Sequence, residues 1–329
     1  MLCARTVFRC FRAVEHFADR LTGAAGPYFV GLAVVLITAG ALCFFTVILP
    51  SLPFSLLTVP ICFLIAANLY LHYLWVCTMP PGFADEPENP PDRTVAGWLW
   101  GKRRGRMQNT TISPAYVGNC AKCGSDKPER THHCRICKRC ILKYDHHCPP
   151  SGINQCVGLY NERHFVLFMI YFVLSTACFS GFGYQHFFLA LGIYPYDWSY
   201  FLPPWVFVLV YLLSSILCLA VAIMLSFHLW GIALAETSVE SHDFPAYRAK
   251  AKSRGTTFVN CYDLGKRQNL QLFFNVGPLG HSYLTLVLPL RISPYTNGRA
   301  WAKRHGLSRH QGIDASDEFT DDEEHSIIP

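Results

Sequence analysis

Asp145-His146-His147-Cys148 stands near the end of a 37-residue segment, Cys120 to Cys156, that also contains Cys123, His132, His133, Cys134, Cys137 and Cys140. Seven of the fifteen cysteines fall in it. They come in CxxC and His-Cys pairs, a metal-ligand pattern suited to a reducing compartment rather than a disulfide framework. Zinc prefers tetrahedral sets of thiolate and imidazole, and two cysteines two residues apart form a knuckle around one ion. Cys120/Cys123 and Cys134/Cys137 are such pairs. With His133, Cys140, His147 and Cys156 they fill two four-ligand sites; unliganded core cysteines are the competing reading. Eight ligands leave Asp145, His146 and Cys148 uncommitted. Only a thiolate attacks well, an imidazole can take its proton, and a carboxylate can orient the imidazole. Asp-His-x-Cys brings the three together, although Cys148 could equally be a further ligand or an inert thiol, and His146 a solvated side chain.

Outside this segment the chain is apolar. Charged residues are 15% of the 329 and hydrophobic residues 51%, where soluble proteins carry about 25% charge. No charge lies between Arg20 and Asp85, between Arg163 and Asp197, or between Asp197 and Glu236. A bilayer core needs roughly 20 apolar residues per helix. The expected fold is therefore an α-helical integral membrane protein of four transmembrane helices, with the cysteine-rich module (115–163) between spans two and three. The expected spans are 28–49 and 54–76, joined by the helix-breaking turn Pro50-Ser51-Leu52-Pro53, then 164–191 and 204–234.

Residues 1–27 read as a basic amphipathic segment, suited to the membrane interface or to leading into the first span. They hold Cys3 and Cys10, which read first as free thiols and second as candidates for acylation beside the membrane. Residues 77–114 read as a partly disordered linker; its run Lys102-Arg103-Arg104-Gly105-Arg106 suits anionic headgroups or plain solvation, and the sequon at Asn109 is expected to stay unmodified. His186 and His228, near the ends of spans three and four, read as capping or snorkelling residues. Residues 235–300 form a C-terminal module whose stretch Ser282–Leu290 is too short to span and should pack on the membrane face. Residues 301–329 read as a disordered acidic tail. Four Lys and Arg precede the first span, 13 lie between spans two and three, and 11 follow span four, which accounts for all 28. The two hairpin links carry none, so both termini and the module are expected in the cytosol. The net charge of +6 is modest, and no nucleic-acid partner is expected.

Cys120-x2-Cys123, Lys127-Pro128-Glu129-Arg130, His133-Cys134-x2-Cys137-x2-Cys140, Asp145-His146-His147-Cys148-Pro149, Cys156-Val157-Gly158 and Asn161-x3-Phe165 together resemble the DHHC protein S-acyltransferases (palmitoyltransferases). Pro81-Gly82 is similar to their Asp-Pro-Gly motif with the acid replaced. Thr237-Ser238-Val239-Glu240 is similar to Thr-Thr-x-Glu with serine second, and Asn260 to Phe274 to their aromatic C-terminal motif. The resemblance covers roughly residues 28–290. It implies ping-pong transfer from palmitoyl-CoA to Cys148, activated by His146 with Asp145 orienting it, and then to a protein cysteine near the membrane. It assigns Cys120, Cys123, His133 and Cys140 to one structural Zn2+, and Cys134, Cys137, His147 and Cys156 to a second. Lys127 and Arg130, with Arg135, Lys138, Arg139 and Lys143, are candidates for the CoA phosphates or merely solvated. Endoplasmic reticulum or Golgi follows from family habit; the protein substrate, chain length and any accessory subunit are not given.

The sequence departs from the family at one place. A tryptophan usually follows Cys-Pro, with the last ligand six positions after the nucleophile. Here Pro150-Ser151-Gly152 stands there, and Cys156 follows Cys148 by eight. The loop could bulge harmlessly, displace Cys148 or loosen the second zinc, or reflect an error in the coding sequence. A catalytically inactive membrane zinc scaffold is therefore the alternative. A zinc adaptor of the RING type has different ligand spacing and no use for Asp145-His146.

Overall fold

The computed structural model describes residues 26–86, 110–149, 152–278, 280–314 and 317. The N-terminal amphipathic segment with Cys3 and Cys10, the basic run at 102–106, Asn109, Pro150, Ser151 and most of the acidic tail lie outside the described residues.

The three long uncharged runs form four helices, the first run forming two: α1 (Gly26–Ser51), α2 (Ser55–Thr78), α3 (Glu162–Ala190) and α4 (Pro204–Ala233). At about 1.5 Å per residue they measure roughly 36–45 Å, enough for the roughly 30 Å hydrocarbon core, and the protein is a membrane protein. Pro50 and Pro53 separate α1 from α2, with α1 tightening into a π turn and a 3-10 turn before the break. Pro60 stands inside α2, as transmembrane helices tolerate. Apolar side chains of α4 such as Leu209, Ile216, Leu219 and Phe227 are exposed, which suits lipid rather than water. α3 packs along both α2 and α4.

The module between α2 and α3 has little apolar core of its own. Three short antiparallel hairpins build it: β2 (Val117–Asn119) with β3 (Asp126–Pro128), β4 (His132–Cys134) with β5 (Arg139–Ile141), and β6 (His146–Cys148) with β7 (Gln155–Val157). Ahead of them, β1 (Thr110–Pro114) pairs with β8 (Ala300–Arg304). The sequence places residues from 301 onward in a disordered tail. Instead the strand carries the fully buried Trp301, and Lys303 donates to Glu129 Oε1 at 2.8 Å. The ordered part of the C-terminal module thus extends past residue 300.

The rest of that module holds α5 (Ser238–Ser253) and α6 (Lys266–Phe274). Arg163, at the start of α3, is buried and donates to the carbonyls of Phe274, Thr285 and Leu290. Asn68 donates to the Val287 carbonyl at 2.7 Å, and the Tyr171 hydroxyl to that of Leu286 at 2.7 Å. Ser282–Leu290 therefore lies against α2 and α3, its carbonyls satisfied by side chains where water is scarce.

Candidate active site and metal clusters

The hairpin registers explain how eight ligands sort into two sets. In β4–β5, His133 stands opposite Cys140; in β6–β7, His147 stands opposite Cys156. Each cross-strand pair supplies two donors to one side. The other two come from the preceding hairpin, at its turn or the strand end entering it: Cys120 and Cys123 for the first set, Cys134 and Cys137 for the second. Both turns close alike, with the Gly124 amide donating to the Cys120 carbonyl at 2.8 Å and the Lys138 amide to that of Cys134 at 2.9 Å. Gly124 and Lys138 are left-handed, at φ 71° and 58°.

A tetrahedral zinc, about 2.3 Å from sulfur and about 2.0 Å from nitrogen, sets its ligands roughly 3.4–3.8 Å apart. In the first set Cys123 and Cys140 sulfurs are 3.5 Å apart, and His133 Nδ1 lies 3.7 Å from both Cys120 and Cys140. In the second, Cys137 and Cys156 sulfurs are 3.4 Å apart, and His147 Nδ1 lies 3.7, 3.5 and 3.4 Å from Cys134, Cys137 and Cys156. Both sets could hold a metal ion, and their spacing fits zinc. The eight-residue step from Cys148 to Cys156 leaves the second set assembled.

Cys148, the last residue of β6, packs against the core cluster formed by Leu69, Tyr73 and Val76 of α2 with Phe165, Val166 and Met169 of α3. The sulfur thus sits at the seam between module and membrane helices. Gly152 approaches it so closely that a Cβ there would lie 2.7 Å from Sγ, and the Tyr73 hydroxyl donates to the Gly152 carbonyl at 3.1 Å. Gly152 therefore lies against the thiol and is tied to α2.

His146 Nδ1 lies 2.7 Å from Asp145 Oδ2, and the ring also interacts with the Cys148 side chain. Asp145 accepts the Ser238 amide at Oδ1 (2.7 Å) and the Ser238 hydroxyl at Oδ2 (3.0 Å). Ser238 opens α5, whose N-terminal dipole favours a carboxylate. Burial would raise the Asp145 pKa, but the bond to His146 and the Ser238 amide outweigh it and hold the carboxyl down at about 2. Burial would likewise lower His146, but Asp145 and Cys148 together raise it to about 9. An imidazolium beside a sulfur is the setting in which thiolates attack.

One candidate is corrected. Arg130 does not face solvent: its side chain is 6% exposed, and its Nε and Nη2 each donate to a Glu240 carboxylate oxygen at 2.6 Å. It also donates to the Ala235 carbonyl and stacks on Tyr262 and Trp301. Burial argues against its charge, yet Glu240 more than compensates and raises its pKa. The fork is committed to Glu240 and the Ala235 carbonyl within the fold. Glu240 in turn forms a capping box with Thr237 at the start of α5. Thr237-Ser238-Val239-Glu240 thus joins the dyad, through Ser238, to Arg130, through Glu240. Lys127 stays on β3, lining a cleft of about 390 Å³ between the first hairpin and the C-terminal module. His228 of α4, which the sequence suggests is a capping or snorkelling residue, instead reaches the dyad, its Nδ1 3.8 Å from Asp145 Oδ2. A lone polar residue in an apolar run is the only sequence signal for it.

The DHHC palmitoyltransferase family model matches residues 118–244. Palmitoyltransferase ZDHHC16 of Mus musculus is 31% identical over 321 residues, covering 91% of this chain and 80% of its own. Palmitoyltransferase ZDHHC16A of Danio rerio is 29% identical over 231 residues, 56% of this chain and 59% of its own. Palmitoyltransferase ZDHHC7 of Mus musculus reaches 54% identity over 71 residues, 21% of this chain and 22% of its own. Four spans, two Cys/His clusters set between the second and third, and 31% identity over nine tenths of the chain to such an enzyme make this chain a member of the DHHC palmitoyltransferase family, a protein S-acyltransferase.

Proposed function

We propose that Cys148 carries the acyl group, by a ping-pong reaction in which His146 moves the proton and Asp145 orients His146. The Cys148 thiolate attacks the thioester carbonyl of palmitoyl-CoA. The carbonyl–sulfur bond to CoA breaks, and the departing thiolate takes the proton from His146. A thiol of a substrate protein then gives its proton to His146 and attacks the acyl-enzyme, releasing Cys148 as thiolate. The observation that carries this reading is the 2.7 Å Asp145–His146 contact beside a sulfur that opens on the apolar seam between α2 and α3. Each buried methylene is worth about 0.8 kcal/mol, so a fatty chain belongs among the helices while its thioester waits at their end.

Each Cys/His set holds one Zn2+ in this proposal, supplying folding free energy rather than chemistry. Lys127 remains a candidate for the CoA phosphates. The partners are palmitoyl-CoA, the bilayer, and cytosolic or membrane proteins with cysteines beside the membrane. The module and both termini face the cytosol, in the endoplasmic reticulum or Golgi. Purified protein incubated with an alkyne palmitoyl-CoA analogue should label through a hydroxylamine-sensitive bond, with about two zinc ions per chain. Cys148→Ser should not label; full labelling of that variant overturns the assignment.

A further inference from the structure

We propose that His228 is a positioning residue for acyl transfer: from the membrane helix α4 it holds the Asp145 carboxylate that orients His146. This rests on the reading of Cys148, His146 and Asp145 as the reacting set. A carboxylate offers about four lone-pair sites. On Asp145, Oδ1 accepts the Ser238 amide while Oδ2 accepts both the His146 ring and the Ser238 hydroxyl, so His228 joins them as a longer electrostatic contact. His228 Nδ1 faces Oδ2 at 3.8 Å, with a side chain only 17% exposed. That is beyond hydrogen-bond length, and catalytic contacts that are long in a substrate-free enzyme tighten in the substrate complex.

The surrounding packing fixes the approach. Phe165 of α3 lies edge-on to the His146 ring at 5.2 Å and edge-on to the His228 ring at 5.3 Å, and the two imidazoles are 5.7 Å apart. One phenyl ring thus braces both histidines. An imidazole in a transmembrane run is costly and marks function rather than packing. At this level the exposed neighbours on α4 are apolar, Phe227 and Trp230. A snorkelling histidine would turn toward headgroups; this one turns inward to the buried acid. Sheet and turn geometry fix Asp145 from the module, Ser238 fixes it from the C-terminal module, and His228 fixes it from the membrane. The donor atoms of Asp145, His146 and His228 also lie within 4.8 Å of one another, close enough for a metal ion, so the test includes metal content.

The full chain in detergent, as wild type, His228→Ala, His228→Asn and His228→Gln, is assayed for single-turnover acyl-enzyme formation at varied palmitoyl-CoA, with metal content on each sample. Loss of an outer-shell partner typically costs about 10–100-fold. We expect His228→Ala to lower the maximal rate by that much with the half-saturating palmitoyl-CoA concentration unchanged. His228→Asn, whose amide nitrogen sits where Nδ1 does, should recover most of the rate, and His228→Gln, whose amide lies one bond farther out, should not. Equal rates for wild type and alanine, equal rates for asparagine and glutamine, or a metal ion lost only with His228 would each overturn the proposal. If wild type does not acylate Cys148, the underlying reading fails and this falls with it; an active wild type indifferent to His228 sinks this inference alone.

Discussion

The first ligand set, Cys120, Cys123, His133 and Cys140, backs onto the C-terminal module, where Cys120 and Cys140 pack with Tyr262 and Trp301. The second, Cys134, Cys137, His147 and Cys156, packs with Ile141, Phe83 and Tyr144, while the adjoining Cys148 and Val157 pack against the membrane helices. The hairpins are alike in length and pairing, so their different duties come from what they lean on. The first fastens the module to the chain's C-terminal part. The second aims a sulfur.

The sharpest way to separate them is to remove one ligand from each. His147→Ala should leave one metal ion per chain and lower acyl-enzyme formation by more than about 100-fold, beyond the range typical of outer-shell partners, because the strand bearing the thiol loses its anchor. Cys123→Ser, at the exposed edge of the first set, should also leave one metal ion yet cost only about 10-fold in rate. Equal losses would erase the distinction drawn here.

A smaller effect is expected beside the first set. Breaking a buried ion pair by removing one partner costs about 3–5 kcal/mol, so Arg130→Ala should lower the thermal midpoint in detergent markedly. Because Glu240 has its pKa lowered, by Arg130 above all once burial is overcome, the pair's contribution is present above the ordinary carboxylate range. It fades as pH falls below it, and the gap between wild type and Arg130→Ala should narrow in acid. The smallest change is Thr237→Ala, which removes one half of the capping box and should cost about 1 kcal/mol. Thr237→Ser should cost almost nothing.

The four spans were legible because uncharged runs longer than a bilayer is thick admit little else, and the ligands because knuckle spacing is restrictive. What stayed hidden depends on contacts between distant segments. Nothing local marks Arg130 as buried: its neighbourhood is basic, and its partner lies 110 residues on. His228 looked like any polar residue near a helix end, since its meaning depends on a carboxylate 83 residues earlier in a different part of the fold. The strand at Ala300–Arg304 carries too few residues to announce itself without its partner. The inserted loop was ambiguous for another reason: spacing counts residues along the chain, whereas the second set needs only that Cys156 return opposite His147.

The pairing of Thr110 with Arg304 has a bearing on biosynthesis. Strand one is made early and then waits through the synthesis of the module, both later spans and two further helices before its mate leaves the ribosome. Until that moment the part of the chain outside the spans carries an open sheet edge, the kind of surface that invites wrong partners. A message truncated a few codons before residue 300 would specify every ligand and every span and still yield a chain that cannot shut.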